Sequence, residues 1–386
     1  MRPGHRSFLS IIVLSIVISS CGSSHKISGT VTGNSISEIR FMDEYEVPYN
    51  LQFKQTTVGG LSSIDYDAKR DVYYMVADDR SAINAARYYT AKIHLNEKGI
   101  DSVEFFDVTT LLNKDGKAYP NQSQDPLHVP DPEAMRYNAK KDELVWSSEG
   151  ERSIRPSSTI LEDPAVTIIN RDGYYKDSFA LPANMHMSAL PKGPRQNGVF
   201  EGMSFADNYK YLFVSVEEPL YEDGERAATG DSSALIRIIK YNTATHQPIA
   251  QYAYKVEPVP YPSVPSNAYK INGIPDILYI GNNKLLVVER AFSTGRLACV
   301  IRVYIADLDK AEDVSSVNSL LSKPDLKLAE KKLLFNMESL GTYVDNVEGV
   351  TFGPKLPNGH STLVFVVDNN FSPLEKMQFF LFEIIP

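Results

Sequence analysis

The residues of this 386-residue chain best suited to chemistry are acidic side chains that recur at regular intervals. One set opens short apolar segments, and its members are Glu133, Glu201, Asp276 and Glu348. A second set ends the apolar segment that follows, and its members are Asp78, Glu149, Glu217, Glu289 and Asp368. Carboxylates gathered in one place raise each other's pKa and need compensating cations. Since Ca²⁺ takes six to eight oxygen ligands, the pattern is typical of a calcium site.

Three arginines closely follow terminal acids, at Arg80, Arg152 and Arg290. A guanidinium pairs with the oxygens of an anion in a bidentate manner, so these arginines are predicted to compensate the acids or to bind an anionic substrate. The predicted metal ligands are Asp78, Glu149, Glu217, Asp276, Glu289 and Asp368. The predicted catalytic residues, which would orient or deprotonate the attacking water, are Glu201, Glu348 and Glu133. The alternative for each acid is a structural role, in which it binds backbone N–H groups.

The elements that would bring these acids together form an internal repeat. Aligning Ser62 with the four opening acids gives intervals of 71, 68, 75 and 72 residues, with a serine in the first copy. Each copy leads through a turn rich in Asp, Asn, Lys or Gly into a hydrophobic strand, and further strand candidates follow. Four antiparallel strands repeated around an axis are typical of a β-propeller. The sequence therefore predicts an all-β fold with five blades, or six if an irregular segment hides another.

The last copy shows three strands, at 348–353, 362–368 and 377–384, and so lacks one. The segment Ile36–Val47 offers a strand that has no repeat of its own. We predict that this N-terminal strand completes the last blade and closes the ring. The inner strands would then direct the opening acids to one mouth of the central channel. A closed ring has no internal domain boundary, so residues 38–386 are predicted to form one domain.

The N-terminal residues have the pattern of a bacterial lipoprotein signal. Arg2 and Arg6 precede a short apolar run, Phe8–Ile18, and Ser19-Ser20-Cys21 follows it as in a lipobox. Residues 1–20 are therefore predicted to be a signal peptide, with lipid on the thiol of Cys21. Residues 21–37 are rich in Ser, Gly and Thr and are predicted to be a flexible tether. These features predict attachment to a membrane of the bacterial cell envelope, at the outer membrane or on a periplasmic or extracellular face.

Composition excludes several classes of protein. Hydrophobic residues make up 43% of the chain, which is enough to bury a core, and 22 Tyr with 17 Phe argue against disorder. The net charge of −9 becomes −11 once the two arginines of residues 1–20 are removed, so nucleic acid is not an expected partner. Two distant cysteines exclude a disulfide framework. We expect a monomer that binds a small phosphorylated or other small-molecule ligand.

Five blocks in order resemble the phytase-like family, which is named for the "esterase-like activity of phytase". The blocks are Gly60–Arg80, Asp131–Met135, Asn197–Met203, Leu286–Phe292 and Asp345–Val350, and the resemblance extends over about residues 45–386. It implies a protein of the cell envelope that acts on phosphate esters, with Ca²⁺ as the expected cofactor. Arg80, Arg152 and Arg290 would then bind the phosphate of the substrate.

Two functions remain open from the sequence. One is a calcium-dependent phosphoric-ester hydrolase. The other is a ligand-binding or scaffold propeller without catalytic activity, because one fold serves many functions. The negative charge of the chain disfavours a polyanionic substrate unless cations intervene.

Overall fold

The computed structural model describes Met1 and residues 36–96, 98–230 and 234–385. The predicted signal peptide, the lipidation site Cys21 and all but the last two residues of the tether lie outside these ranges. Within them the fold is all-β and contains no α-helix. The four 3₁₀ helices are Ala183–Met185, Tyr221–Asp223, Leu320–Ser322 and Met337–Leu340. In the part of the chain described, no helix is long and apolar enough to cross a membrane.

Five four-stranded antiparallel sheets form a five-bladed β-propeller, as the repeat predicted. Blade 1 contains β4 (Asp65–Asp67), β5 (Val72–Val76), β6 (Arg87–Leu95) and β7 (Ile100–Thr110). Blade 2 contains β8 (Pro132–Asn138), β9 (Glu143–Ser148), β12 (Ala165–Asn170) and β13 (Tyr175–Ser178). Blade 3 contains β14 (Phe200–Ala206), β15 (Tyr211–Val216), β16 (Leu235–Asn242) and β17 (Gln247–Lys255). Two small hairpins stand apart: β2 (Gln52–Phe53) with β3 (Thr56–Thr57), and β10 (Glu151–Arg155) with β11 (Ser158–Glu162).

Blades 4 and 5 complete the ring. Blade 4 contains β18 (Lys270–Gly281), β19 (Lys284–Ser293), β20 (Val300–Asp307) and β21 (Glu330–Asn336). Blade 5 contains β22 (Asn346–Gly353), β23 (Thr362–Asp368), β24 (Met377–Ile385) and the N-terminal strand β1 (Glu38–Val47). Strand β1 pairs antiparallel with β24, from Glu38 opposite Ile385 to Val47 opposite Met377. The predicted closure of the last blade by an N-terminal strand is thus confirmed.

Local sequence explains the hairpin that joins the inner two strands of blade 4. Between β18 and β19, Asn282 and Asn283 both have positive φ, at 52° and 51°. Two consecutive residues in this region form the type I′ turn, whose twist matches that of a two-stranded ribbon and which favours Asn and Gly.

The inner strands are buried on both faces, as in β8, where all seven residues are buried.

The hydrophobic core consists of layers between neighbouring blades. Val288 of blade 4 and Phe365 of blade 5 belong to one buried cluster, and Met75 of blade 1 and Phe379 of blade 5 belong to the next. Three further clusters fill the junctions between blades 1 and 2, blades 2 and 3, and blades 3 and 4. Each blade is therefore stabilised by both neighbours, and the ring holds its inner strands at fixed positions around the channel.

Ile39 tests the contribution of the closing strand. Its side chain is buried in the cluster between blades 4 and 5, whereas the preceding residue, Glu38, is exposed. We expect Ile39→Ala to lower the free energy of unfolding by about 2–4 kcal/mol, because truncation of a buried aliphatic side chain leaves a cavity. Glu38→Ala is the control and should change it by less than about 0.5 kcal/mol. Urea unfolding measures both, and equal effects would argue against a packed closing strand.

Candidate active site at the mouth of the channel

The candidate site lies at the end of the channel where each inner strand begins and the second strand of each blade ends. Asp131, Glu133 and Glu149 of blade 2 meet there, and one carboxylate oxygen from each lies within 4.8 Å of the others. All three side chains are buried. Burial raises the pKa of Asp131 to about 7, although the charge of Arg80 opposes this rise. Three oxygens so close together are a donor set suited to a hard cation.

Glu201 of blade 3 lies beside the carboxylates of Asp131, Glu133 and Glu149. We call these three residues the blade 2 triad. Burial and then the charge of Glu201 raise the pKa of Glu133 well above its ordinary value. Burial and then the charge of Glu149 raise the pKa of Glu201 in the same way. Glu149 also accepts a hydrogen bond from the backbone N–H of Val199, which partly offsets these effects. The charges thus act on one another across the junction between blades 2 and 3.

Arg290 supplies positive charge on the other side of Glu201. Its guanidinium lies 2.7 Å from the Glu217 carboxylate and 3.7 Å from that of Glu348. Burial raises the pKa of Glu348 to about 7, and the charge of Arg290 opposes the rise. Glu348 also accepts a hydrogen bond of 2.7 Å from the side-chain amide of Asn346. Arg290 therefore compensates two of the predicted site acids directly.

Asp78 and Asp368 occupy the junction between blades 1 and 5. Burial raises the pKa of Asp78, and the charge that adds most to the rise is that of Asp368. Asp368 is fully buried, and its Oδ1 accepts a hydrogen bond from the N–H of Asn370. Its Oδ2 is buried and has no hydrogen-bond partner among the described residues. An unsatisfied buried carboxylate oxygen indicates a position where a proton or a bound cation is expected.

Strand register explains why the glutamates of blades 2, 3 and 5 converge. In blade 3, Phe200 pairs with Val216 and Met203 with Val214, so a bulge lies at Glu201 and Gly202. The bulges of blades 2 and 5 fall in the same way at Glu133 and Glu348. A β-bulge changes the direction of a side chain. A Cβ on Gly202 would lie 2.7 Å from the Cα of Asp276, so glycine permits the close approach of adjacent inner strands.

Blade 4 departs from this pattern, which the sequence spacing did not reveal. Gly273 pairs with Arg290 and Asp276 pairs with Val288, so the bulge lies at Ile274 and Pro275. Ile274, not Asp276, is therefore the counterpart of Glu201. By the same register, Ala291 is the counterpart of Glu217. Blade 4 thus brings no acid to the mouth at these two positions and contributes Arg290 instead.

We call the site acids described above the acidic cluster: Asp131, Glu133, Glu149, Glu201, Glu217, Glu348, Asp78 and Asp368. Asp276 lies two residues deeper in the channel and is not brought to this cluster. Both of its oxygens accept hydrogen bonds from Arg136, at 2.7 and 2.6 Å, and Oδ2 also accepts one from the N–H of Val350 at 2.7 Å. Arg136 and Asp276 are both buried. The guanidinium of Arg136 also donates to carbonyl oxygens of the four other blades, at Ile64, Met203, Ile277 and Val350. This pair links all five inner strands.

Glu289 also lies away from the acidic cluster. Its carboxylate accepts hydrogen bonds from the Tyr254 hydroxyl at 2.8 Å, the N–H of Glu257 at 3.0 Å and the Asn272 amide at 2.9 Å. Lys331 forms an ion pair with it at 2.7 Å. These four partners occupy both carboxylate oxygens, so no position is left for a metal ion. Glu289 therefore has the structural role that was the alternative for each acid.

The three predicted phosphate-binding arginines occupy different surroundings. Arg80 forms ion pairs with Glu151 and, at 3.4 Å, with Asp131, so it borders the blade 2 triad. Arg290 lies within the cluster, as described above. Arg152 belongs to the hairpin β10–β11, and its guanidinium donates to the carbonyl oxygens of Ser188 at 2.8 Å and Leu190 at 3.2 Å. The structure therefore brings Arg80 and Arg290 to the site and uses Arg152 to hold a loop.

Asp131 is the site residue that the repeat analysis missed. It precedes Pro132 and has no acidic counterpart in the other copies, where Gly60, Val199, Asn272 and Asn346 stand. A search for recurring acids passes over a residue that occurs once. The signal that could have found it is the run Asp131-Pro132-Glu133, which places two acids two residues apart at the start of an inner strand.

The raised pKa values predict a pH dependence of stability. A carboxyl whose pKa is higher in the folded than in the unfolded state binds its proton more tightly when folded, so stability falls as pH rises between the two values. For Asp131 and Glu348 this interval runs from about 4 to about 7. We therefore expect the melting temperature in EDTA to fall from pH 5 to pH 8. Added Ca²⁺ should restore more stability at pH 8 than at pH 5, and an unchanged melting temperature in EDTA would contradict this assignment.

The fold and the site together define the class of protein. It is a five-bladed β-propeller with buried carboxylates at one mouth of its channel. The family model described as "Phytase-like: Esterase-like activity of phytase" matches residues 56–371. This chain belongs to the phytase-like family. No curated protein matches its sequence.

Solved structures with a similar chain path include two glycoside hydrolases. An endo-arabinase from Bacteroides thetaiotaomicron is 10% identical, with a TM-score of 0.43 over 85% of this chain and 95% of that one. A thermostable family-43 glycoside hydrolase is also 10% identical, with a TM-score of 0.45 over 88% of this chain and 92% of that one. A gluconolactonase from Xanthomonas campestris is 10% identical, with a TM-score of 0.36 over 83% of this chain and 71% of that one.

Proposed function

We propose that this protein is a calcium-dependent phosphoric-ester hydrolase. The observation that carries the proposal is the blade 2 triad, in which three buried carboxylates offer oxygens within 4.8 Å of one another. Membership of the phytase-like family supports a phosphate ester as substrate. Buried carboxylates repel each other, so a cation that joins them stabilises the folded protein, and its remaining coordination positions can take a phosphate oxygen.

Asp131, Glu133 and Glu149 are the residues that would hold Ca²⁺. Their donor set consists only of oxygens, which is what this hard cation prefers. When bound, Ca²⁺ would neutralise the carboxylates and polarise the phosphate group. Glu133 was predicted from the sequence to be catalytic, and its place in the triad makes it a proposed ligand instead.

Glu201 is the proposed general base. Its carboxylate adjoins the triad on one side and, through Glu217 and Glu348, the guanidinium of Arg290 on the other. Burial and the neighbouring carboxylates raise its pKa well above the ordinary value, so it binds a proton more tightly than a free carboxylate does. Glu201 would take the proton of the attacking water, and Glu348 would hold that water in position. Arg80 and Arg290 border the site and would stabilise the negative charge that the phosphate carries.

The second candidate function is a ligand-binding propeller without catalysis. The observation that favours it is the state of the arginines, since Arg80 and Arg290 form ion pairs and Arg152 donates to backbone carbonyls. Each of these three guanidinium groups already has a protein partner, with which a bound phosphate would have to compete. In this case the acidic cluster would bind an ion that stabilises the fold.

The experiment that separates the two is phosphate release by the full-length protein from phytate and from an aryl phosphate, each with Ca²⁺ and with EDTA. Release that depends on Ca²⁺ supports the hydrolase. A melting temperature that rises with Ca²⁺, without release from either ester, supports the binding protein. Mg²⁺ at the same concentration is the control for a nonspecific effect of divalent charge.

We also propose that lipid on Cys21 anchors the protein to the bacterial cell envelope. Strand β1 enters blade 5 with Glu38 opposite Ile385, at the end of the propeller away from the site mouth. An anchored protein would therefore have its site facing away from the attached N-terminal segment. Cys21→Ser should release the protein into the soluble fraction, and retention of this variant in the membrane fraction would contradict the proposal.

A further inference from the structure

Exposed apolar side chains lie on several loops at the end of the propeller that carries the acidic cluster. The loops at this end lead into the inner strands or leave the second strands of the blades. They carry the four most exposed apolar side chains of residues 36–385 that are described: Leu297 and Leu374, both 87% exposed, Val264 at 70% and Leu190 at 68%. Tyr269, on the loop that enters blade 4, is 59% exposed. We call these five residues the apolar rim.

Part of the apolar rim is continuous with the site. The N–H of Val264 donates to the carbonyl of Thr294 at 2.8 Å, and the N–H of Thr294 donates to the carbonyl of Tyr269 at 3.0 Å. These bonds hold Val264 and Tyr269 against the loop that bears Leu297. A Cβ on Gly273, in the strand that follows Tyr269, would lie 2.7 Å from the Glu217 side chain, so this strand contacts the acidic cluster. Burial raises the pKa of the Tyr269 hydroxyl, and Glu217 is the charge that adds most to the rise. The rim thus begins where the site acids end.

The charges at this mouth suit a ligand that carries a single anionic group. Arg290 is shared between Glu217 and Glu348, and Arg80 is shared between Asp131 and Glu151. A ligand with many phosphates would bring negative charge to a mouth whose nearest arginines already serve carboxylates. One phosphate at the triad, joined to an apolar group over the rim, would meet favourable contacts at both ends. Val264, Tyr269 and Leu297 lie on two loops that contact each other, and exposed apolar side chains gathered in this way are typical of a binding surface.

We propose that the substrate of this site is an amphiphilic phosphate monoester, whose phosphate lies at the acidic cluster and whose alkyl or aryl group lies on the apolar rim. This inference rests on the proposed function for its chemical step. In that step the oxygen of water bonds to phosphorus and the bond from phosphorus to the ester oxygen breaks. Glu201 takes one proton of the water and then gives it up to the leaving alkoxide, which becomes the alcohol, so the carboxylate is regenerated.

The test uses the full-length protein and straight-chain alkyl phosphates of two to ten carbons, below their micelle concentrations and with Ca²⁺. We expect the affinity, measured by calorimetry, and kcat/KM to rise about twofold for each added methylene, since burial of a methylene on an open surface gives part of the effect of full burial. The double variant Leu297→Ser/Leu374→Ser should reduce this dependence on chain length and leave ethyl phosphate unchanged. Leu333→Ser, at a half-exposed leucine on the outermost strand of blade 4, is the matched control.

The outcomes separate this inference from the proposed function. Binding that strengthens with chain length, without phosphate release, would overturn the hydrolase and support the apolar rim as a ligand surface. Release from ethyl phosphate and decyl phosphate at equal kcat/KM, with equal affinities, would support the hydrolase and overturn the rim. Equal affinities together with sedimentation on phosphatidylcholine vesicles that the double variant abolishes would assign the rim to a membrane surface and also overturn the inference.

Discussion

Replacing Arg136 by Met is expected to lower the free energy of unfolding by about 3–5 kcal/mol, because it leaves the Asp276 carboxylate buried without its partner. Arg136 and Asp276 are both buried, and two hydrogen bonds of 2.7 and 2.6 Å join them. The guanidinium also donates to carbonyl oxygens of four other blades. Its removal therefore affects every inner strand. Urea unfolding followed by circular dichroism measures the loss.

Two further variants identify the cause. Arg171→Met removes an exposed arginine that pairs with Asp142, and it should change stability by less than about 1 kcal/mol. Adding Asp276→Leu to Arg136→Met removes the unpaired charge, and it should recover about half of the loss. Recovery should be incomplete, because the carbonyl oxygens that Arg136 served stay unsatisfied. If the free energy of unfolding of Arg136→Met alone lies within about 1 kcal/mol of that of the native protein, the pair does not link the blades.

Glu133→Gln and Glu201→Gln are each expected to reduce calcium-dependent phosphate release by a factor of about 100 or more, if the protein is the proposed hydrolase. Glu133 supplies an oxygen to the blade 2 triad, and removal of general-base catalysis at Glu201 has an effect of this order. The same variants should raise the melting temperature in EDTA at pH 8, because each removes a buried charge from a repulsive cluster.

Opposite changes in activity and stability distinguish a site residue from a structural one. Glu104→Gln is the control, since Glu104 is exposed on an outer strand and, among the described residues, forms an ion pair only with His94. It should change neither phosphate release nor the melting temperature. Full hydrolysis by Glu201→Gln would exclude Glu201 from the mechanism. A lower melting temperature of Glu133→Gln in EDTA would indicate that this carboxyl supports the fold.

The repeat of about seventy residues was sufficient to predict the fold. Turn residues separate the inner two strands of every copy, and the missing strand of the last copy pointed to residues 36–47. Both features are local, because a strand and its turn are specified by residues that are neighbours along the chain. The structure has the five blades and the closing pair of β1 and β24.

The acidic cluster was predictable in part. Glu133, Glu201 and Glu348 converge as their spacing indicated, and Glu149, Glu217, Asp78 and Asp368 lie beside them. Asp276 and Glu289 do not join them, since the bulge of blade 4 lies at Ile274. A bulge inserts one residue without a clear mark in the sequence. Spacing along the chain therefore placed Asp276 two residues from its true position in the sheet.

The sequence by itself determined the repeat, the turns and the class of side chain that faces the channel. Only the tertiary structure decided which charges meet there. Arg136 finds Asp276 across the channel, 140 residues away, and Arg290 lies between Glu217 and Glu348 of the two neighbouring blades. Such pairs form because ring closure brings distant strands to one axis, where a buried charge is stable only beside a partner. That requirement acts in three dimensions, so no local pattern records it.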